Sequence, residues 1–110
     1  MGHTTRSIAI IRELIKDGIQ VTVRNSNIDY LNKSLPNINT ILGTTDVGPT
    51  IEKNGISINK SKTLENIGEW IDSIRLTSEK EHEIISKIKP NLIVSDISAM
   101  PFFAAHKAKI

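Results

Sequence analysis

Residues 2–23 read GHTTRSIAIIRELIKDGIQVTV, and two periodicities within this stretch decide the fold class. From residue 4 to residue 17, Ile8, Ile11, Leu14 and Ile15 recur at helical spacing, with Thr4 or Thr5 available as N-cap and Gly18 as the left-handed stop. Residues 19–23 are short, apolar and rich in β-branched side chains, which predicts a strand of a parallel sheet. Helix, glycine and strand together form an αβ unit. Nothing in the sequence supplies the strand that normally feeds such a helix, so the pattern predicts a chain that begins inside a larger fold.

The rest of the chain repeats the alternation. Turn formers in 24–37 surround a short helix predicted at 28–33, and 38–42 reads as a second strand. In 43–62, Asn54-Gly55 predicts a type I′ hairpin between TIEK and ISIN, an insertion around 49–58. A helical tract follows over 63–87. Leu64, Ile67, Ile71 and Ile74 form one stripe, and Ile84, Ile85 and Ile88 another, with Trp70 packed among them. Ser78 and Glu81 have capping-box spacing, which predicts a break near Leu76, and Pro90 ends the tract. Residues 92–95, LIVS, read as a strand, and Asp96 to Ser98 turn into a last helix with Ser98 as N-cap and Pro101 in its first turn. Strand and helix in alternation predict an α/β fold: a Rossmann-like three-layer parallel sheet lacking its first strand, forming one incomplete domain over 1–110. In strand order 3-2-1-4, the turns at Gly2 to Arg6 and Ser95 to Ser98 flank the switch point where ligands bind.

Composition narrows the function. The 110 residues are 38% hydrophobic and 24% charged, and no apolar run approaches the ~20 residues that span a bilayer. No secretory leader pattern is present at the start, and a cytoplasmic location is expected. Without cysteine there are no disulfides, thiolate metal sites or thiol nucleophiles. A net charge of +2 spread along the chain, with 4% aromatics, argues against a nucleic-acid partner. His3, His82 and His106 have no metal-ligand spacing, and no cofactor is implied; His82 and His106 are expected on helix surfaces. Phe102 and Phe103 are expected to pack on the sheet, with an acceptor pocket or a membrane surface as their other uses.

The stretch GHTTRSIAIIRELIKDGIQVTV resembles the start of the N-terminal domain of GT-B glycosyltransferases, the superfamily of UDP-glycosyltransferases and MurG-like enzymes. LIVSDISAMPFFAAHKAKI resembles the second hallmark of the same half. The resemblance is close at the two ends and general in the middle. Arg6 fits an archaeal and bacterial branch, whereas the glycines and the strand that precede Gly-His in the family are missing here. It implies an acceptor-side half, with the nucleotide-sugar donor held by a second domain or a partner chain and a sugar or lipid acceptor bound on this side. It further implies His3 as the base that deprotonates the acceptor hydroxyl and Asp96 as the group orienting its ring. Gly2, Thr4, Thr5, Arg6 and Ser98 would contact substrate, an anion sitting at the amides of Thr4 and Thr5. The other readings are a noncatalytic acceptor-binding or anchoring subunit working with a separate donor-binding chain, and a fragment that self-associates through its open sheet.

Overall fold

A computed structural model describes residues 2–110, and these divide between Thr44 and Thr45 into two compact units. The element order is α1 (Gly2–Lys16), β1 (Thr22–Asn25), α2 (Ile28–Ser34), β2 (Asn39–Leu42), α3 (Lys60–Ile88) and α4 (Met100–Ala108).

The first unit is the expected αβ pair with a second strand added. α1 ends at Gly18, whose φ of +77° places it in the left-handed region; its N–H donates to Ile15 O at 3.0 Å, and that of Ile19 donates to Leu14 O at 3.0 Å. β1 pairs with β2 in parallel, Thr22 opposite Asn39 and Asn25 opposite Leu42. The helical stripe works as its spacing predicts. Ile8 and Ile11 are buried with Leu31 and Leu35 of the α2 region, and Ile15, Val21, Val23, Tyr30 and Ile38 pack around them. That cluster takes one face of the short sheet out of water, which offsets the ordering of a segment too small to fold on hydrogen bonds alone. The bounds of β1 shift from the expected 19–23 to Thr22–Asn25. The strand starts at Thr22 instead of residue 19, because the ladder begins where Val21 O meets Asn39 N at 3.0 Å.

The second unit departs further from the sequence reading. The hairpin is present as an antiparallel bridge between Ile51 and Ile58, but its turn is not type I′. Gly55 alone has positive φ; its N–H closes on Glu52 O at 2.9 Å, and Asn54 Oδ1 accepts from the N–H groups of Ile56 and Ser57. The capping asparagine settles the turn before a two-residue loop can form. α3 is continuous for 29 residues, so the break near Leu76 does not occur. Its N-cap is Asn59, accepting from Lys62 N–H at 2.8 Å, and Arg75 reaches Glu79 across the expected break at 3.3 Å. Glu81 is 3% exposed rather than serving as a cap partner.

Of the first stripe, Leu64 and Ile71 are exposed and Ile67 and Ile74 half-buried; of the second, Ile85 is buried, Ile84 half-buried and Ile88 exposed. The core of this unit lies where α4 packs Met100, Ala104 and Ala105 against the C-terminal half of α3. Residues 92–95 are not a strand, and Leu92 and Val94 are 76% and 75% exposed. An apolar, β-branched run becomes a strand only with a backbone partner, and none of the described residues pairs with it. Among the described residues the sheet consists of two parallel strands, β1 and β2.

Candidate functional site

α1 begins at Gly2, which turns the expected loop Gly2 to Arg6 into the helix's first turns. Thr4 and Thr5 are therefore helical residues and not N-caps; Thr4 is half-buried, and His3, Thr5 and Arg6 are exposed. The surroundings of Gly2 lie outside what is described. Two contacts knit the turn. Ser7 Oγ donates to His3 O at 2.9 Å, and Arg6 Nη2 lies 2.6 Å from His3 Nδ1. Because a guanidinium can only donate, Nδ1 must be the acceptor, and the ring proton of the neutral imidazole then sits on Nε2. In this arrangement the one free lone pair of His3 is engaged by Arg6.

At the carboxyl end of the parallel strands, Arg24 Nη1 donates to Leu42 O at 3.1 Å, and its guanidinium lies across Gly43. A β-carbon on Gly43 would fall 2.8 Å from both Nη atoms, and the glycine's φ is +145°. Arg24 and Gly43 escaped the sequence reading, although a glycine directly after a β-branched run is itself a signal of a close backbone approach.

In the second unit, Asp96 is exposed in a turn whose neighbours are braced. Ser95 Oγ donates to Ser98 O at 2.7 Å, and Ser98 Oγ lies 2.7 Å from Thr45 Oγ1. Ser98 therefore does not cap α4; the residue preceding that helix, Ala99, makes no side-chain cap, and Pro101 stands in the first turn as expected. Thr45 is itself buried, its carbonyl accepting the Trp70 indole N–H at 3.0 Å. Trp70 thus combines partial burial with a polar anchor. Between Asp96 and Ser98, Ile97 has a φ of +87°, a conformation costly for a β-branched residue. Thr45 was missed because its partners, Trp70 and Ser98, are 25 and 53 residues away.

Three other expectations are corrected or placed. Phe102 and Phe103 are exposed instead of packed on a sheet, since Met100, Ala104 and Ala105 form the buried face of α4. His106 is exposed, whereas His82 is only partly exposed and its Nδ1 is buried. Among the described residues no group of three or more His, Cys, Asp or Glu could hold a metal ion, and no helix is long and apolar enough to cross a membrane.

A helix stopped by glycine, a β-branched strand and a parallel neighbour define an α/β protein with part of an open sheet. The family model for glycosyl transferase family 1 matches residues 1–110, and the chain belongs to that family. Its chemistry is the transfer of a sugar. No curated protein and no solved structure matches the chain.

Proposed function

We propose that this chain is the acceptor-side half of a GT-B glycosyltransferase, moving a sugar from a nucleotide-sugar donor to an acceptor hydroxyl. The observation that carries the reading is the family match over residues 1–110, joined to a Gly-His pair in the first turn of the helix that leads into β1. The remaining strands of a three-layer sheet and the donor-binding domain would lie outside this sequence.

His3 is the base in this reading. Glycosyl transfer needs the acceptor hydroxyl to shed its proton as it attacks the anomeric carbon, and an imidazole near neutrality suits that step. Arg6 holds the ring in the resting state; when it turns to an anionic group of the acceptor, the ring's lone pair becomes available to the hydroxyl proton. Asp96 is assigned as the group that orients the ring, on the sequence resemblance. Gly2, Thr4, Thr5, Arg6 and Ser98 are assigned to acceptor contact on the same ground. The acceptor is a sugar or a lipid-linked hydroxyl.

The test is kinetic and uses the enzyme carrying both halves. His3→Ala should lower kcat by about 100-fold or more while leaving the acceptor KM within a small factor, the signature of a lost general base. A kcat within a factor of a few of the unsubstituted enzyme removes the base assignment.

A further inference from the structure

In the second unit, α3 and α4 end side by side. The cleft between the two ends has a volume of about 420 Å³ and is lined by His82, Ser86, Lys89, Lys107 and Lys109. That volume falls in the range of roughly 300–1,000 Å³ typical of small-molecule sites.

Both helices end in a left-handed residue, and in both the residue is a lysine: Lys89 at φ +51° and Lys109 at φ +60°. Glycine is the usual occupant there, because a β-carbon is crowded in this conformation. Among the described residues only three non-glycine residues have positive φ, and two of them line this one cleft. Lys87 in α3 and His106 and Lys107 in α4 add further basic groups in the last turns of the two helices. His82 contributes an imidazole to the lining. Its Nδ1 is buried and makes no hydrogen bond among the described residues, a position at which a neutral imidazole can carry its proton and donate. Ser86 adds a hydroxyl donor beside it. Three ammonium groups, a ring N–H and a hydroxyl are a donor set for a compact oxyanion with several acceptor oxygens. Ile85 and Ala108 give the cleft an apolar portion, which a bare ion would leave unused.

We propose that this cleft binds a small organic phosphate monoester, the phosphate held by Lys89, Lys107, Lys109, Ser86 and His82 and the organic body resting on Ile85 and Ala108.

The probes are phenyl phosphate, inorganic phosphate and phenol, titrated into the full chain while the His82 ring and Ser86 amide resonances are followed. Phenyl phosphate should bind saturably with a Kd of about 1 mM or tighter. Inorganic phosphate should bind more weakly, and phenol should not saturate. The variant Lys89→Gly with Lys109→Gly keeps both left-handed ends in their least crowded form, so the fold persists, while its affinity for phenyl phosphate should drop by about tenfold or more, a loss of roughly 1.4 kcal/mol. Phenol binding as tightly as phenyl phosphate, tighter binding of inorganic phosphate, or unchanged affinity in the doubly substituted chain would each overturn the proposal.

Discussion

Arg6 Nη2 lies 2.6 Å from His3 Nδ1, one helical turn apart on the surface of α1. The pairing fixes which ring nitrogen carries the proton, since the arginine has no lone pair to offer. His3 in the free chain should therefore be predominantly the Nε2–H tautomer, readable from the two ring ¹⁵N shifts. In Arg6→Gln the amide can donate or accept, so the preference should relax toward a mixture. A ring already protonated at Nδ1 in the unsubstituted chain would show that the guanidinium does not hold it.

Gly43 is tested by adding the carbon it lacks. Gly43→Ala places a β-carbon 2.8 Å from the Arg24 guanidinium and imposes φ +145° on an L-residue. The arginine tip can swing aside, whereas the backbone angle cannot be relieved that way. The expected cost is about 1–3 kcal/mol, seen as faster hydrogen exchange at the amides of β1 and β2. Adding Arg24→Ala should recover only a minor part of it. Full recovery would mean that crowding, and not backbone conformation, fixes the glycine.

What the sequence discloses here is what neighbouring residues decide among themselves. The stripe of Ile8 and Ile11, the stop at Gly18 and the β-branched runs before and after α2 are set within a few residues, and the corresponding elements form. The tract 92–95 has equal strand character, yet strand formation needs a partner backbone, and its apolar side chains stay exposed. Ser98 has the chemistry of an N-cap, but a hydroxyl 53 residues away engages it instead. Ser78 and Glu81 have capping-box spacing inside a helix that Asn59 has already started and that no proline or glycine interrupts between Trp70 and Ile88. His3, Arg6 and Asp96 stand out through the resemblance carried by the two ends of the chain. The Arg6 grip on the His3 ring did not, because it arises only once residues 3 and 6 share a helical turn.

Lys62 and Glu65 give a prediction at high pH. Their 2.9 Å hydrogen bond, and then the charge of Glu65, raise the Lys62 pKa above 10.5. A base whose folded pKa is raised stabilises the fold fully below its unfolded value, and that contribution is lost as pH rises through the folded value. The pair should therefore help at neutral pH and fade only above about pH 10.5. In Glu65→Gln the Lys62 midpoint, followed through its side-chain ¹³C shift, should fall back toward 10.5; an unmoved midpoint would assign the shift to another neighbour. Added salt should shrink the difference, because both side chains are solvent-exposed.

Ile97 offers the clearest separation of strain from packing. Its φ of +87° costs a β-branched residue about 1–3 kcal/mol, and its side chain is 64% exposed, so little burial is lost on removing it. Ile97→Gly relieves the backbone while adding roughly 0.5–1 kcal/mol of chain entropy to be lost on folding. The balance favours the glycine variant by up to about 2.5 kcal/mol, measurable as a higher urea midpoint from the fluorescence of Trp70, the single tryptophan. Thr45→Val should move the midpoint the other way by about 0.5–1.5 kcal/mol, since it keeps the shape and the carbonyl held by Trp70 but deletes the hydroxyl paired with Ser98. If the brace is what forces Ile97 into its conformation, loosening it also lowers the strain that glycine would relieve. The two substitutions together should then be less than additive, and strict additivity would mean that residue 97 adopts positive φ without help from Thr45.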